Sequence, residues 1–342
     1  MSRYFGVDLH RNCFTVCVLL ANGRQYVSTW KLGGLSKFVS RLRADDEVAV
    51  EVTGNTRLFY DAVSPYVARV VVVNPFQFEV IRKSVKKTDA HDARALALFL
   101  SKDMLPEVRM KDAQHAEMAS LVQTRDTLVK SRTALKNKIN NLLSARGVNL
   151  SKESLASDKG LREVLGMYFG STVDVELQVL VDQIRSLNQS IAKIEKAISE
   201  QGPKLPGYEN LKSIKGIGDV GAGVLLSVIG DVNDFTDEGK LAAYFGIVPR
   251  ISNSNETAHS GRITKRGSKL GRTVLIQCAL IAKRYSDYLA RYYERIKIRR
   301  GTGKAIVALA RKFLGIIYQT LKNDWVFEDF PNFILADQET QA

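Results

Sequence analysis

The sequence predicts an N-terminal α/β domain followed by a mostly helical remainder that contains a pair of long helices. Three observations predict this class. Short apolar runs bounded by turn residues fill roughly the first hundred positions. Apolar residues then recur with helical three-to-four spacing from about residue 113 onwards. A segment rich in Gly and Pro, 201–207, separates a third region whose patterns are again mainly helical.

The first domain begins with three apolar runs that are typical of strands, followed by helical segments that alternate with two further strands. The predicted strands are 4–8, 12–20, 25–31, 47–52 and 69–75, and the predicted helices are 35–42 and 58–67. The turn Ala21-Asn22-Gly23 is a hairpin signal between the second strand and the third. Three antiparallel strands followed by helix-separated strands is the order of the ribonuclease H-like fold. The sequence favours this order over a Rossmann alternation.

Four carboxylates lie where these elements begin or end. Asp8 ends the first strand, and Glu51 lies at the end of the fourth. Asp89 and Asp92 lie three apart in the first turn of a helix that Thr88 caps. Acids buried together repel one another and need a cation, and hard oxygen ligands select Mg²⁺ or Mn²⁺. We expect a metal site here, with scattered surface and capping acids as the alternative.

The sequence predicts a pair of long helices. The first covers residues 113–147, the second includes residues 177–198, and residues 148–174 connect them. Leucines recur every seven residues in the first, at Leu121, Leu128, Leu135 and Leu142. The second shows unbroken three-to-four spacing, at Leu177, Leu180, Ile184, Leu187, Ile191, Ile194 and Ile198. This pattern predicts a coiled-coil seam, either within one subunit or between subunits. Basic residues on the first helix are candidate nucleic-acid contacts: Arg125, Arg132 and Lys136.

The third region holds two further candidate sites. Residues 211–222 fit a helix-hairpin-helix in which the Gly216 and Gly218 turn presents backbone N–H groups to a phosphate; a structural glycine turn is the alternative. The polar stretch 251–261 lacks periodicity and is predicted to be a loop before basic helices at 270–299 and 304–321. A serine there could attack a phosphodiester, although a linker has the same composition.

The charge distribution favours a polyanionic partner such as nucleic acid. Fifty Lys and Arg residues exceed thirty-six Asp and Glu residues, which gives a net charge of +14. Between Arg262 and Lys304, thirteen basic residues oppose only Asp287 and Glu294. The candidate phosphate contacts in this stretch are Arg262, Lys265, Arg266, Lys269 and Arg272.

Cysteine usage and hydropathy predict a reduced, cytoplasmic chain. The three cysteines, Cys13, Cys17 and Cys278, show no metal-ligand spacing. The sequence begins with structured residues rather than a signal peptide, and no apolar run reaches membrane-spanning length.

Seven motifs occur along the chain in a specific order: Gly6-Val-Asp-Leu-His10, Glu51-Val-Thr-Gly54, Asn74-Pro75, Lys87-Thr-Asp-Ala-His-Asp-Ala-Arg94, Ser213-Ile-Lys-Gly-Ile-Gly218, Phe245-Gly-Ile-Val-Pro-Arg250 and Gly261-Arg-Ile-Thr-Lys-Arg-Gly267. Together they resemble the DEDD transposases of bacterial insertion sequences that are related to the Piv and MooV invertases. The resemblance covers about residues 4–325.

The resemblance implies a domain layout and a second half of the active site. It implies a RuvC-like domain in 1–110 that carries the four acids, a coiled-coil linker in 111–202, a transposase domain in 203–330 and a tail in 331–342. The transposase domain of the family bears a nucleophilic serine a few residues after Pro249-Arg250. That position is Ser254, with Ser252 as the near alternative.

Three departures from the family pattern bear on this loop and on the second acid. Asn255 stands where the family usually has Gly after the serine, and the Ser-Gly pair occurs instead at Ser260-Gly261. Ser260 is therefore a third candidate. Thr264 replaces a frequent Ser, and Val52 replaces a frequent Ala beside Glu51.

The resemblance implies a recombinase that cleaves and rejoins donor and target DNA, using Mg²⁺ or Mn²⁺. The best-understood members are guided by an RNA that their element encodes, and they assemble as homo-oligomers in which the acids of one subunit meet the serine of another. A dimer or a tetramer is expected. Two alternatives are a metal-only RuvC-like nuclease, such as a junction resolvase, and a non-catalytic nucleic-acid-binding scaffold. An actin-like phosphotransferase is least favoured, because no glycine-rich nucleotide motif follows the first Asp.

Overall fold

A computed structural model describes residues 3–74, 88–151, 154–254 and 257–333, with the backbone alone for the described part of 251–260. The chain divides into two compact units, Met1–Met110 and Lys111–Ala342. Pro75, Lys87, Asn255 and most of the predicted tail, 334–342, lie outside the described residues.

The first unit is a five-stranded mixed sheet with helices. Its strands are β1 (Arg3–Leu9), β2 (Cys13–Leu20), β3 (Gln25–Lys31), β4 (Glu47–Glu51) and β5 (Arg69–Val73), and its helices are α1 (Leu35–Val39), α2 (Thr56–Val63) and α3 (Asp89–Leu100). The strand order is β3-β2-β1-β4-β5, with β1 antiparallel to β2 and parallel to β4. All five predicted strands are confirmed to within about two residues, the usual uncertainty of element ends.

The two faces of the sheet pack against different helices. On one face, Phe14 of β2 makes edge contacts with Phe38 of α1 and Phe59 of α2, at ring centroid distances of 5.3 and 5.7 Å. On the other face, Ala49 and Val71 pack against Leu96 of α3. Because side chains alternate along a strand, β1 and β4 contribute residues to both layers.

The second unit is mainly helical. Its helices are α4 (Ala113–Ser144), α5 (Asp158–Leu165), α6 (Ser171–Gln201), α7 (Tyr208–Ser213), α8 (Asp219–Ile229), α9 (Glu238–Tyr244), α10 (Lys269–Ala282), α11 (Asp287–Arg300) and α12 (Thr302–Lys322). Its largest core contains fully buried Leu225, Leu275 and Phe313 from α8, α10 and α12. Short 3-10 turns occur at Leu32–Gly34, Ser64–Tyr66, Ser154–Ala156, Gly202–Lys204, Val232–Asp234 and Phe330–Asn332. None of the described helices has the length and apolarity to cross a membrane.

Two sequence predictions about the second unit are wrong. The described residues of the stretch predicted as a loop, 251–254 and 257–261, belong to the paired strands of an antiparallel hairpin, β6 (Pro249–Ser254) and β7 (Thr257–Ile263). Hydrogen bonds between the two backbones hold these strands together, and they require no buried apolar face. The sequence therefore lacks the apolar alternation that predicts a half-buried strand. The single helix predicted over 270–299 is two helices, because α10 ends at Ala282 and Ser286 caps α11 by accepting a hydrogen bond from Leu289 N at 3.3 Å.

The two long helices, α4 and α6, pack antiparallel within one subunit. Three polar contacts link them, Arg125–Glu195, Arg132–Asn188 and Lys138–Glu176, and the residue numbers rise on one helix as they fall on the other. Ile139 and Leu143 of α4 are fully buried in one cluster with Leu177 and Ile184 of α6. The leucines predicted to form the seam of α4 are half-buried, and its most buried positions include Met118 and Val122.

Exchanging the charges of Arg125 and Glu195 tests this pairing. Arg125→Glu places two acids side by side and lowers the unfolding midpoint in denaturant. The exchanged double variant, Arg125→Glu with Glu195→Arg, recovers most of the loss. The coupling energy of such a part-exposed pair is about 0.2–1 kcal/mol in a double-mutant cycle. A contact within one chain gives a loss that is independent of protein concentration, whereas a loss that grows on dilution would contradict it.

Candidate metal centre and serine hairpin

Two of the four predicted acids lie side by side at the ends of neighbouring parallel strands. Val7 of β1 pairs with Val50 of β4, so Asp8 and Glu51 are the next residues along each strand. Their strand neighbours Val7 and Val50 pack in the cluster that faces α1 and α2. Because side chains alternate along a strand, Asp8 and Glu51 lie on the α3 side of the sheet. Asp8 is 8% exposed.

The other two acids are brought to this edge by a backbone contact between α3 and β1. A Cβ atom at Gly6 would lie 2.0 Å from Ala93 O and 2.4 Å from Ala97 N. Only glycine on the strand, with alanines on the helix, allows the two backbones to approach so closely. Asp89 precedes Ala93 by one helical turn, so this contact holds the first turn of α3 over Asp8.

Thr88 defines where α3 begins. Its side-chain hydroxyl accepts a hydrogen bond from His91 N at 3.2 Å, as predicted for the N-cap residue. Asp89 and Asp92 therefore lie in the first turn of the helix, where the backbone N–H groups favour negative charge. The helix dipole offsets part of the repulsion that these two acids bring to the site.

Burial and neighbouring charges perturb the ionisation of Asp8 and Glu51. Burial raises the pKa of Asp8, the neighbouring His10 lowers it, and the negative charges of Asp89 and Asp92 raise it further. Burial also raises the pKa of Glu51, and the charges of Asp8 and Asp92 add to this effect. The sheet and α3 therefore hold four carboxylates in one electrostatically coupled cluster.

His10 is a member of this cluster that the sequence analysis missed. Its Nε2 lies 3.3 Å from Asp8 Oδ2 and 3.3 Å from Asp89 Oδ2. The ligand atoms of these three residues lie within 4.8 Å of one another. Strand alternation was the available signal, because His10 follows Asp8 by two residues and so continues the same face of the strand.

The residues present fit a divalent cation. Glu51 Oε1 is buried and accepts no hydrogen bond from any residue that the structure describes. A buried carboxylate oxygen in this state is costly unless a cation or a donor reaches it. The cluster offers mainly hard oxygen ligands, the type that Mg²⁺ and Mn²⁺ prefer, with one imidazole nitrogen that suits Mn²⁺ better.

The three serines considered as nucleophiles lie on the β6–β7 hairpin. The backbone register pairs Ser252 with His259, Ser254 with Thr257 and Ile251 with Ser260. All three serines therefore belong to one two-stranded ribbon. Their side chains lie outside what the structure describes.

Several of the predicted basic contacts are engaged inside the protein. Arg125 and Arg132 connect α4 to α6. Arg272 Nη1 donates to the carbonyl oxygens of Arg266 at 2.8 Å and of Phe245 at 3.2 Å, and so braces the segment before α10. Lys136 is half-buried, and burial lowers its pKa, as does the nearby charge of Arg132. By contrast, the predicted contacts Arg262, Lys265, Arg266 and Lys269 are exposed.

The contacts of Gly216 and Asp219 favour a structural role for the glycine turn over phosphate binding. Gly216 has a φ of 109°, and a Cβ there would lie 2.7 Å from the backbone nitrogen of Ala282 in α10. Gly218 is exposed and precedes α8, but Asp219 already occupies the first position of that helix. The Asp219 carboxylate accepts a hydrogen bond from Tyr208 at 2.7 Å and pairs with Lys212 at 2.8 Å. This acid makes the helix start less favourable for a phosphate.

Comparison with known proteins decides the family. Residues 5–146 match a family model for IS110-type DEDD transposases, and residues 208–294 match the transposase IS116/IS110/IS902 family. The chain belongs to the IS110/IS116 family of transposases. The two matches include all four acids and the hairpin, and the family makes the chain a DNA transposase or recombinase.

Relatives of this IS110-family chain include transposases and a pilin gene-inverting protein. The transposase for insertion sequence element IS1111A of Coxiella burnetii is 27% identical over 93% of this chain and 89% of its own length. The pilin gene-inverting protein of Moraxella lacunata is 26% identical over 95% of this chain and 97% of its own length. A probable family 20 transposase of Pseudomonas aeruginosa is 28% identical over 70% of this chain and 73% of its own length.

Replacing Gly6 by alanine tests the contact that positions α3. The added methyl group forces α3 away from β1, and we expect the free energy of unfolding to fall by about 1–3 kcal/mol. Gly33→Ala is the matched control, because no atom lies within 4 Å of a Cβ at that position. Equal stability of the two variants in urea denaturation would contradict the close contact.

Replacing Glu51 by glutamine tests the repulsion in the acidic cluster. In the presence of a chelator the variant is expected to unfold at a higher temperature than the wild type, since one of the coupled negative charges is gone. Added Mn²⁺ should raise the midpoint of the wild type more than that of the variant. Glu47→Gln, at the opposite end of the same strand, is the control and should change neither midpoint. A Glu51→Gln protein that is less stable than the wild type in chelator would refute the repulsion.

Proposed function

We propose that this IS110-family enzyme cleaves and rejoins DNA with a serine nucleophile and a divalent cation. The observation that carries the proposal is the convergence of Asp8, Glu51, Asp89 and Asp92 at one edge of the sheet, where burial and the neighbouring carboxylates raise the pKa values of Asp8 and Glu51. Two strand ends and one helix start supply them. Such convergence is not expected of acids that serve only as surface or capping residues.

The proposal includes a ribonuclease H-like, RuvC-like fold for the first unit. The strand order β3-β2-β1-β4-β5 supports it, with β1 to β3 antiparallel and β4 and β5 parallel to β1. The position of Asp8 near the end of the central strand and of Glu51 at the end of the next strand supports it as well.

In this proposal the four acids hold Mg²⁺ or Mn²⁺. When bound, the ion supplies Lewis-acid stabilisation of the negative charge that develops on phosphoryl oxygens. Asp8 and Glu51 provide ligands on rigid strands, and α3 adds Asp89 and Asp92. His10 orients Asp8 and Asp89 through its contacts with both carboxylates.

Ser254 is the proposed nucleophile, and Ser252 and Ser260 are its alternatives on the same hairpin. The serine oxygen forms an ester bond to phosphorus and loses its proton, while one bond between phosphorus and a deoxyribose oxygen breaks. The released sugar hydroxyl takes up a proton. Because the bond energy is retained in the phosphoserine link, attack by another DNA hydroxyl rejoins the strand and restores the serine.

The proposed partners are donor and target DNA, an element-encoded guide RNA and further copies of the chain. The net charge of +14 supports polyanionic partners. A homo-oligomer, dimer or tetramer, would bring the acids of one subunit to the serine of another. The proposal also includes action in the cytoplasm, which accords with three cysteines that form no disulfide.

A covalent adduct is the most direct test of the serine. With a nicked DNA substrate that prevents rejoining, the wild type should accumulate a protein–DNA link that survives denaturing electrophoresis. Ser254→Ala should form no detectable adduct, whereas Ser252→Ala and Ser260→Ala should retain it. Asp8→Asn should also abolish the adduct while leaving the fold intact by circular dichroism.

The outcome separates this proposal from a metal-only nuclease. Cleavage by all three serine variants at the wild-type rate, with loss only in Asp8→Asn, would indicate attack by water. Adduct loss in Ser252→Ala or Ser260→Ala instead of Ser254→Ala would reassign the nucleophile. Sequencing of co-purified nucleic acid tests the guide, since a discrete RNA that matches the flank of the gene is expected.

A further inference from the structure

A groove in the second unit is lined by several basic side chains and, among the described residues, by no acid. Its volume is about 880 Å³, and it lies between β7, the end of α11 and the first three turns of α12. Five basic side chains line it: Arg262, Lys265, Arg300, Lys304 and Arg311. No Asp or Glu is among the described residues that form its walls. We call it the α12 groove.

The five cations of the α12 groove are available for a ligand. All are exposed, and none makes a side-chain hydrogen bond or ion pair with a residue in the described ranges. This distinguishes them from Arg125 and Arg272, whose guanidinium groups are engaged within the protein. Like charges that line one concave surface raise each other's energy until a polyanion or counterions neutralise them.

Apolar residues line the groove beside the cations. Ile247, Ile263 and Val307 are among them, and we call these three its floor; Tyr292 lines the groove as well. Lys304 and Arg311 lie two helical turns apart on α12, about 10 Å along its axis, with Val307 between them on the same face. A surface that binds only the backbone of a duplex needs no such floor. A single strand does, because its unpaired bases stack on apolar and aromatic surfaces while its phosphates meet cations.

The backbone at Lys265 is consistent with a functional position. Lys265 has a φ of 55°, a left-handed conformation that is uncommon for residues with a side chain. Its backbone N–H donates to Gly246 O at 3.0 Å, which maintains this conformation beside the groove. Strained residues of this kind cluster at binding and catalytic sites.

We propose that the α12 groove binds an unpaired segment of nucleic-acid strand. The phosphates contact the five cations, and the bases stack against the apolar floor and Tyr292. Ile263 of the groove pairs with Pro249, the first residue of the strand that carries Ser252 and Ser254. The groove therefore deepens the proposed function, on which its biological role rests, by holding a strand next to the serine hairpin.

Binding of fluorescein-labelled oligothymidylate to the full chain tests the proposal. The measurement uses Ser254→Ala protein and fluorescence anisotropy, so it needs no cleavage. Lys304→Glu with Arg311→Glu should weaken binding at least about tenfold and reduce the slope of log affinity against log salt by about 1.4. The matched control is Lys193→Glu with Arg299→Glu, which makes the same charge change at exposed sites outside the groove. The control should lose much less affinity and keep more of the slope.

A stacking variant and a neutral variant complete the test. Tyr292→Leu keeps the charge of the groove and should weaken single-strand binding by roughly tenfold with little change in duplex binding. Lys304→Gln with Arg311→Gln replaces the acidic double variant if that protein fails to fold. Equal affinity of the groove and control double variants, or an equal loss for duplex DNA in Tyr292→Leu, overturns the proposal.

Competition by unlabelled oligouridylate shows whether the groove binds an RNA strand or a DNA strand. Stronger competition than by unlabelled oligothymidylate assigns the groove to RNA, and weaker competition assigns it to DNA; each result supports a single-strand site. The serine chemistry can fail separately. If the groove variants lose binding while the Ser254→Ala protein still forms the covalent adduct, the groove proposal holds. Only the assignment of Ser254 as the nucleophile is then wrong.

Discussion

The direct contact between the backbones of α3 and β1 at Gly6 is the constraint on which the acidic site depends. It fixes the distance between the sheet and the helix, and with it the position of Asp89 and Asp92 relative to Asp8 and Glu51. A larger side chain at Gly6, Ala93 or Ala97 would separate the two layers. The small residues are therefore as important to the site as the acids themselves.

The same constraint keeps the four carboxylates close together. Carboxylates on flexible loops could move apart, but these are attached to two strands and a capped helix. The fold therefore keeps negative charge concentrated, and burial raises the energy of the charged forms further. Folding energy from the two packed faces of the sheet maintains this unfavourable arrangement, as is common for sites that bind a divalent ion.

The sequence predicts the sheet well, since its strands depend on local patterns. Apolar runs separated by turn residues identify all five strands, and alternation along them places Asp8 and Glu51 on one face. Features that depend on tertiary contacts are predicted poorly. The β6–β7 hairpin lacks a periodic pattern, and neither the engagement of Arg125 and Arg272 nor the packing of Gly216 against α10 can be inferred from charge or spacing. The α12 groove combines residues from the hairpin and two helices, so only the fold reveals it.

The central claim is that the four acids form a divalent cation site in the folded chain, before any nucleic acid binds. Isothermal titration of Mn²⁺ into metal-free protein tests it most directly, with Asp8→Asn as the comparison. The account predicts saturable binding to the wild type and binding at least about tenfold weaker, the equivalent of 1.4 kcal/mol, for the variant. Identical titrations for the two proteins, or no saturable binding to the wild type, would contradict it.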